Sequence, residues 1–239
     1  MLTVADGAYL NGDQYTGGIR GFGNSRIEIT GGYVRAMDTL TSSVTHVTGG
    51  QVDLIADYTN ALIGGGVVTE LQTRNINNSN YNSTGQATIS GGTVTRVITG
   101  SLCSVAMTGG ALTGYFSNSN GGGFTLSGGT VTGTLYDLDQ YSKTSVFGTG
   151  ITLSNPVAGA SKDFGGYTGT YYDLKGVLRD GTPINTKYFS NGALGTSRMT
   201  ITNVAAAVPE SPAALLLALP ALALLARCVT RTGRRLAPR

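Results

Sequence analysis

The sequence predicts an all-β fold, a parallel β-solenoid of the right-handed β-helix kind, on the strength of three observations. The first is a six-residue step. Ile89-Ser90-Gly91-Gly92-Thr93-Val94 recurs as Ile29 to Val34, Val47 to Val52, Met107 to Leu112 and Leu126 to Val131, with a looser copy at Ile63 to Val68. The second is its period: successive copies start 18, 16, 26, 18 and 19 residues apart. A period of that size marks a repeat architecture. The third is composition, with 37 Gly, no Trp and only 12% charged residues, which suits short strands joined by tight turns.

Within each copy the phase of the apolar residues has a meaning. Ile27, Thr45, Ala61, Ala87, Val105 and Phe124 stand two positions before the leading apolar residue, and the residue between is mostly polar or small. That is the period of a strand with one apolar face. The trailing residue (Val34, Val52, Val68, Val94, Leu112 or Val131) follows the leading one by five positions. Five is odd, so an unbroken pleat would turn the two to opposite faces. The Gly-Gly pair must therefore break the pleat, as a corner where glycine accepts positive φ. Each copy reads as strand, glycine corner, strand, burying its apolar side only by stacking on its neighbours.

Taken in order, residues 1–133 form the repeating body, with clear copies over 27–132. No basic stretch followed by an apolar one occurs in residues 1–25, so no signal peptide is visible there. An exported chain needs one, so the reading expects a fragment or a misplaced start codon. The long gap holds Asn75-Ile76-Asn77-Asn78-Ser79-Asn80-Tyr81-Asn82-Ser83-Thr84, too hydrophilic for a core and expected to loop out of one coil. Residues 134–204 are more irregular and tyrosine-rich. Arg179-Asp180-Gly181-Thr182 signals a hairpin and Ser197 to Val204 a final strand, so this part is expected to cap the open end of the stack, with less regular terminal coils as the alternative.

Charge becomes informative once it is located. Of 16 basic residues, Arg227, Arg231, Arg234, Arg235 and Arg239 lie in the last 13 positions. Before Val208 there are 11 basic and 12 acidic residues, a difference of −1, so the body is not basic. It also lacks a basic stripe interleaved with aromatics, which argues against nucleic acid as a partner. Two cysteines cannot make a disulfide framework, and Cys103, in phase with Val105 and Met107, reads as a small core hydrophobe.

The tail has three parts. Residues 205–212 form a linker containing Val208-Pro209-Glu210-Ser211-Pro212; residues 213–226 are an apolar segment, expected to be helical; residues 227–239 are a basic end. A helix of 14 residues spans about 21 Å against a hydrocarbon core of about 30 Å, short for a permanent span. The arginines after it favour the cytoplasmic side, which places residues 1–212 outside. This layout resembles the PEP-CTERM sorting signal of exported bacterial proteins. Val208, Pro209 and Glu210 match its motif, Ser211 stands where the second proline is usual, and Arg227, Arg231, Arg234 and Arg235 match the basic stop. Leu174, Gly176, Leu178, Asp180 and Gly181 resemble a segment near the end of many such proteins. The resemblance implies an exosortase-type processing enzyme as partner and cleavage near the motif. It also implies attachment to the inner membrane through the apolar segment before release to the cell surface, and an association with extracellular polysaccharide.

For catalysis a β-helix scaffold needs carboxylates gathered on one groove face. Asp137 and Asp139 are the close acidic pair, and an alternative reading as a polysaccharide lyase or hydrolase would place its site there. The reading preferred on sequence makes them a polar turn. His46, the single histidine, occupies an outward strand position, and Asp53 and Asp57 are candidates to share one coil face. One His without a Cys cluster argues against zinc, and the glycines do not follow a calcium-binding repeat. The outward threonines Thr93, Thr95, Thr130 and Thr132 are not repeated at equivalent positions in the other copies, which argues against an ice-binding plane. The sequence therefore predicts no cofactor, no metal and no catalysis, and an exported protein with a structural or adhesive role.

Overall fold

Each repeated step turns a corner at its second glycine; the strand runs on through the corner at Gly32, Gly50, Gly110 and Gly129 and is interrupted at Gly66 and Gly92. The computed structural model describes residues 1–204 apart from 13–17, 41, 79, 80, 140, 165 and 192–198. In it Gly92 has φ 68°, and a Cβ there would lie 2.6 Å from the Gly65 carbonyl carbon of the preceding copy. The corner thus needs glycine twice over, for its left-handed backbone and for the close approach of the chain beneath it.

The strands run β1 (Leu2–Val4), β2 (Tyr9–Leu10), β3 (Ile19–Gly21), β4 (Arg26–Thr39), β5 (Val44–Asp57), β6 (Asn60–Ile63), β7 (Val67–Thr73), β8 (Asn75–Asn78) and β9 (Tyr81–Thr84). They continue as β10 (Gln86–Ile89), β11 (Thr93–Thr99), β12 (Ser104–Asn118), β13 (Gly123–Val131), β14 (Thr134–Asp137), β15 (Lys143–Ala160), β16 (Thr168–Leu178), β17 (Pro183–Asn191) and β18 (Met199–Asn203). No helix occurs among the described residues.

Long strands decide the architecture. β5 and β12 run through their glycine corners, so each pairs on both sides of the bend. β5 pairs with β6 and β7, and β12 with β10 and β11. With β6 on β10 and β7 on β11, six strands close into a ring in which every neighbour is parallel. The fold is a closed six-strand parallel barrel extended by further strands, and this corrects the expected right-handed β-solenoid. The expectation failed because it ended a strand at every glycine corner, whereas β5 and β12 continue through theirs and so join the strands on both sides of the bend. The C-terminal helix proposed for 213–226 lies outside the described residues.

The apolar phase nevertheless places the core. Ile29, Val47, Ile63, Ile89, Met107, Leu126 and Val146 stand in one register column. Val34, Val52, Val68, Val94, Leu112 and Val131 form a second. Met37, Ile55, Leu71, Val97, Phe116, Leu135 and Tyr188 form a third. All are buried. Each Val, Ile or Leu so placed contributes about 1.5–3 kcal/mol relative to an exposed position.

The two irregular regions also take definite forms. The polar 75–84 stretch, expected as a loop, is an antiparallel hairpin of β8 on β9. It leaves and rejoins the ladder at one point, where the Gly85 N–H donates to the Arg74 carbonyl at 3.0 Å, so its excursion leaves the stacking intact. Beyond β14, β15 pairs antiparallel with β16, and β16 with β17 across the expected Asp180-Gly181 turn, while β18 lies parallel to β15. Tyr136, Leu138 and Phe189 make a small second core under this part, with Tyr115, Phe164 and Tyr171 against it.

Candidate functional site

Asp137 and Asp139 are close in sequence but serve separate ends. β14 stops at Asp137, and its carboxyl is fully buried. One oxygen accepts from Thr144 Oγ1 at 2.9 Å and Asn118 Nδ2 at 3.2 Å, and the other from the Tyr188 hydroxyl at 2.7 Å. Asp139 lies beyond the strand, where its Oδ1 accepts the N–H groups of Tyr141 at 2.7 Å and Ser142 at 2.9 Å. Its other oxygen takes the Asn120 N–H. One carboxyl ties three strands together from inside, and the other shapes a surface turn. A glycosidase pair needs two carboxyls facing a common open cleft, and these two are occupied elsewhere.

The other sequence candidates separate in the same way. His46 is a half-buried outward residue whose Nδ1 accepts from Arg26 Nη2 at 3.2 Å, with Glu28 at 3.5 Å. Asp53 faces outward and accepts from Gln51 Nε2 at 3.0 Å and from the Tyr33 hydroxyl. Tyr33 in turn stacks on the exposed Tyr9, ring centroids 4.9 Å apart. Asp57 points inward and is fully buried, so the two acids do not share a face. Val52 and Ile55 are both inward; a spacing of three requires a second break in the pleat between them, and it reverses the side that Asp57 takes. Cys103 is buried, as its phase predicts, and burial pushes its thiol pKa up. Val208, Pro209, Glu210, Arg227, Arg231, Arg234 and Arg235 lie outside the described residues.

A small polar cleft of about 190 Å³ is lined by Thr132, Thr134, Asp173, Asn185, Thr186 and Lys187 among others. Lys187 donates to Asp173, Asn155 Nδ2 bonds it at 2.8 Å, and Lys175 stands 3.6 Å away. The Lys187 bond above all holds this carboxyl low, at about 2. Such a cleft suits polar, hydroxyl-bearing groups. Its lining contributes a single acid, already matched by lysine, in place of the acid and base pair that hydrolysis uses. Among the described residues, no group of three or more His, Cys, Asp and Glu stands ready to hold a metal ion.

One feature escaped sequence reasoning. Thr39, Asp57, Thr73, Thr99, Asn118, Asp137 and Ser190 occupy equivalent register positions, each partnering the next. All are at most 1% exposed, so a file of polar side chains runs through the interior beside the apolar columns. The signal was present in the sequence: a polar residue follows the trailing apolar residue by five positions, or by six where Gly114 or Gly133 is inserted. Searches for similarity to known proteins matched no family model, no curated protein and no solved structure.

Proposed function

We propose that this is an exported bacterial protein of the cell surface or extracellular matrix, with a structural or adhesive role. The observation that carries the reading is the sequence of the tail: Val208-Pro209-Glu210, then the apolar run Ala213 to Ala226, then Arg227, Arg231, Arg234 and Arg235. A short apolar segment closed by arginines holds the preceding residues at the outer boundary of the membrane, where an exosortase-type enzyme can reach them. The body supports the reading in a second way. Apart from the β8–β9 hairpin its strands all belong to one sheet, and its acids sit in buried bonds, surface turns and ion pairs, an arrangement suited to a durable scaffold. Extracellular polysaccharide is the partner that this role implies, through polar outward faces such as the Asp173 cleft.

The test is processing. The chain is expressed behind a functional signal peptide, in a host with a matching exosortase, and the surface fraction is measured by intact-mass spectrometry. The mature protein should lack the residues after about Glu210. Pro209→Ala with Glu210→Ala should leave a full-length, membrane-bound form. Arg239 retained equally in parent and variant would reduce the tail to an anchor and remove the reading's support.

A further inference from the structure

The buried polar file is incompletely bonded, and its pattern is regular. Toward the start of the chain, Asp57 Oδ1 accepts from Thr39 Oγ1 at 2.6 Å and from the Thr59 N–H at 3.1 Å. Further along, Asp137 is served by Thr144, Asn118 and Tyr188. Between these ends Asp57 Oδ2, Thr73 Oγ1, Thr99 Oγ1 and Asn118 Oδ1 have no protein partner, on four successive strands of the ladder. The nearest protein groups, the Gln86 N–H beside Asp57 and the Cys103 sulfur beside Thr73, are both engaged as donors elsewhere. The Gln86 N–H donates to the Thr59 carbonyl at 2.7 Å, and the Cys103 thiol to the Ser101 carbonyl at 3.3 Å.

Four orphaned atoms in a row are unusual, because nearly all buried polar side-chain atoms find a partner in protein or ordered water. Equivalent atoms on neighbouring strands stand about 4.8 Å apart, beyond the roughly 2.7–3.2 Å of a direct hydrogen bond. Two hydrogen bonds of about 2.8 Å meeting at about 120° span that interval, which is the geometry of one bridging water. Beside the file the residues opening each rung are Ser43, Thr59, Gly85, Cys103, Gly122 and Ser142, none with a large side chain. A Cβ on Gly122 would lie 2.4 Å from Asn118 Oδ1 and 2.8 Å from Thr99 Cγ2, so that position must stay small.

We infer that the file is a binding site for a row of three water molecules, one between each successive pair of Asp57, Thr73, Thr99 and Asn118. The proton count closes. The first water donates to Asp57 Oδ2 and accepts from the Thr73 hydroxyl. The second donates to both Thr73 and Thr99. The third accepts from the Thr99 hydroxyl and donates to Asn118 Oδ1. Each hydroxyl donates once and accepts once, and each water has at least two protein partners, as buried waters require. The row would fix which strand stacks on which, since a slip of one residue along β5 or β11 replaces Asp57 by Ala56 or Tyr58, or Thr99 by Ile98 or Gly100.

The experiment uses the purified full chain, with Thr99→Val as the near-isosteric variant and Thr99→Ser as the variant that keeps the hydroxyl. Oxygen-17 magnetic relaxation dispersion counts long-lived internal waters, and calorimetry gives Tm. Thr99→Val should lose about two such waters and about 3 °C in Tm, and Thr99→Ser should restore both. An unchanged count, or a Tm equal to or above that of the parent, overturns the inference, because removing a truly unpartnered hydroxyl relieves a cost. If Thr99→Val does not fold, Thr73→Val is read in its place. A parent with no long-lived waters, or a crystal structure without density between Thr73 and Thr99, overturns it with no variant at all. The competing occupant is a cation. It would appear as a Tm that rises selectively with sodium, potassium or calcium at fixed ionic strength and loses that rise in Asp57→Asn, and this result too would overturn the water row.

Discussion

Asp180 Oδ2 accepts the Gly129 N–H at 2.7 Å, although the two residues are 51 positions apart. The β16–β17 turn thereby closes on the last glycine corner of the repeat. The Asp180 N–H donates back to the Ser127 carbonyl at 3.2 Å, and the carboxylate also takes the Thr182 N–H and hydroxyl at 2.9 Å each. Gly128 makes room for it, since a Cβ there would lie 2.5 Å from Asp180 Oδ2. Burial opposes the charge on Asp180, but the Thr182 and Gly129 bonds outweigh it and hold the pKa below the ordinary value.

Asp180→Ala should therefore lower Tm by about 3 °C, the consequence of losing a charge-assisted bond near the surface. A depressed folded pKa means that this contribution is present above the unfolded value and is lost as pH falls through the folded one. Calorimetry at pH 7 and pH 3 checks this. A parent–variant gap as large at pH 3 as at pH 7 would show that the carboxylate is not the source.

The glycine corners allow steric cost to be separated from conformational cost. Gly92 and Gly150 both have positive φ, 68° and 60°. A Cβ on Gly92 meets the Gly65 backbone at 2.6 Å, whereas one on Gly150 meets nothing within 4 Å. Gly150→Ala should lose about 1–2 kcal/mol from backbone strain alone. Gly92→Ala adds a clash against backbone that has no rotamer to yield, so its loss should be at least twice as large. Urea unfolding of the two variants measures the difference, and equal losses would mean that the stacked strands are not in contact at the corner.

How far the fold can be read from the sequence depends on which residues fix a phase. The Gly-Gly step fixes the inward side before and after the corner, which is why Ile89 and Val94 could both be assigned to the core from spacing alone. Ring closure could not be read, because it depends on β5 and β12 continuing through the bend. No residue pattern distinguishes a bent strand from two strands. Asp57 and Asp137 failed for another reason. Spacing from Asp53 puts Asp57 on the outer face and adjacency to Asp139 puts Asp137 in a polar turn, and only recurrence beside Thr73, Thr99 and Asn118 marks an interior column. Asp139 reads from sequence as part of a polar turn, and its carboxyl caps the Tyr141 and Ser142 N–H groups.

The Tyr188–Asp137 bond joins β17 to β14 in the core, and its removal should be felt. Tyr188→Phe keeps the ring in its buried column and deletes only the hydroxyl that donates at 2.7 Å. Leaving a buried carboxyl oxygen short of a donor costs about 1–3 kcal/mol. Denaturant midpoints should fall accordingly, with an unchanged slope. A variant as stable as the parent would mean that Asp137 is satisfied without Tyr188.

Asp57 gives the fold its most distinctive pH dependence. Burial raises its pKa from 3.8 to about 6, against the lowering effect of the Thr39 and Thr59 bonds. A group whose folded pKa is raised contributes stability that is complete below the unfolded value and is lost as pH rises through the folded one. A shift of about 2 units corresponds to about 3 kcal/mol. Asp38, also raised by burial, acts in the same direction. Asp173 and Asp180, both lowered, act in the opposite direction and at lower pH. Stability should therefore fall between about pH 4 and pH 6, where many proteins gain it. Asp57→Asn, which cannot ionise, should flatten most of that fall while leaving the acid-side loss in place. Urea midpoints at half-unit steps from pH 3 to pH 8 decide the matter. Parallel curves for parent and variant between pH 4 and pH 6 would show that Asp57 keeps an ordinary pKa, and hence that its carboxyl is far better solvated than its burial implies.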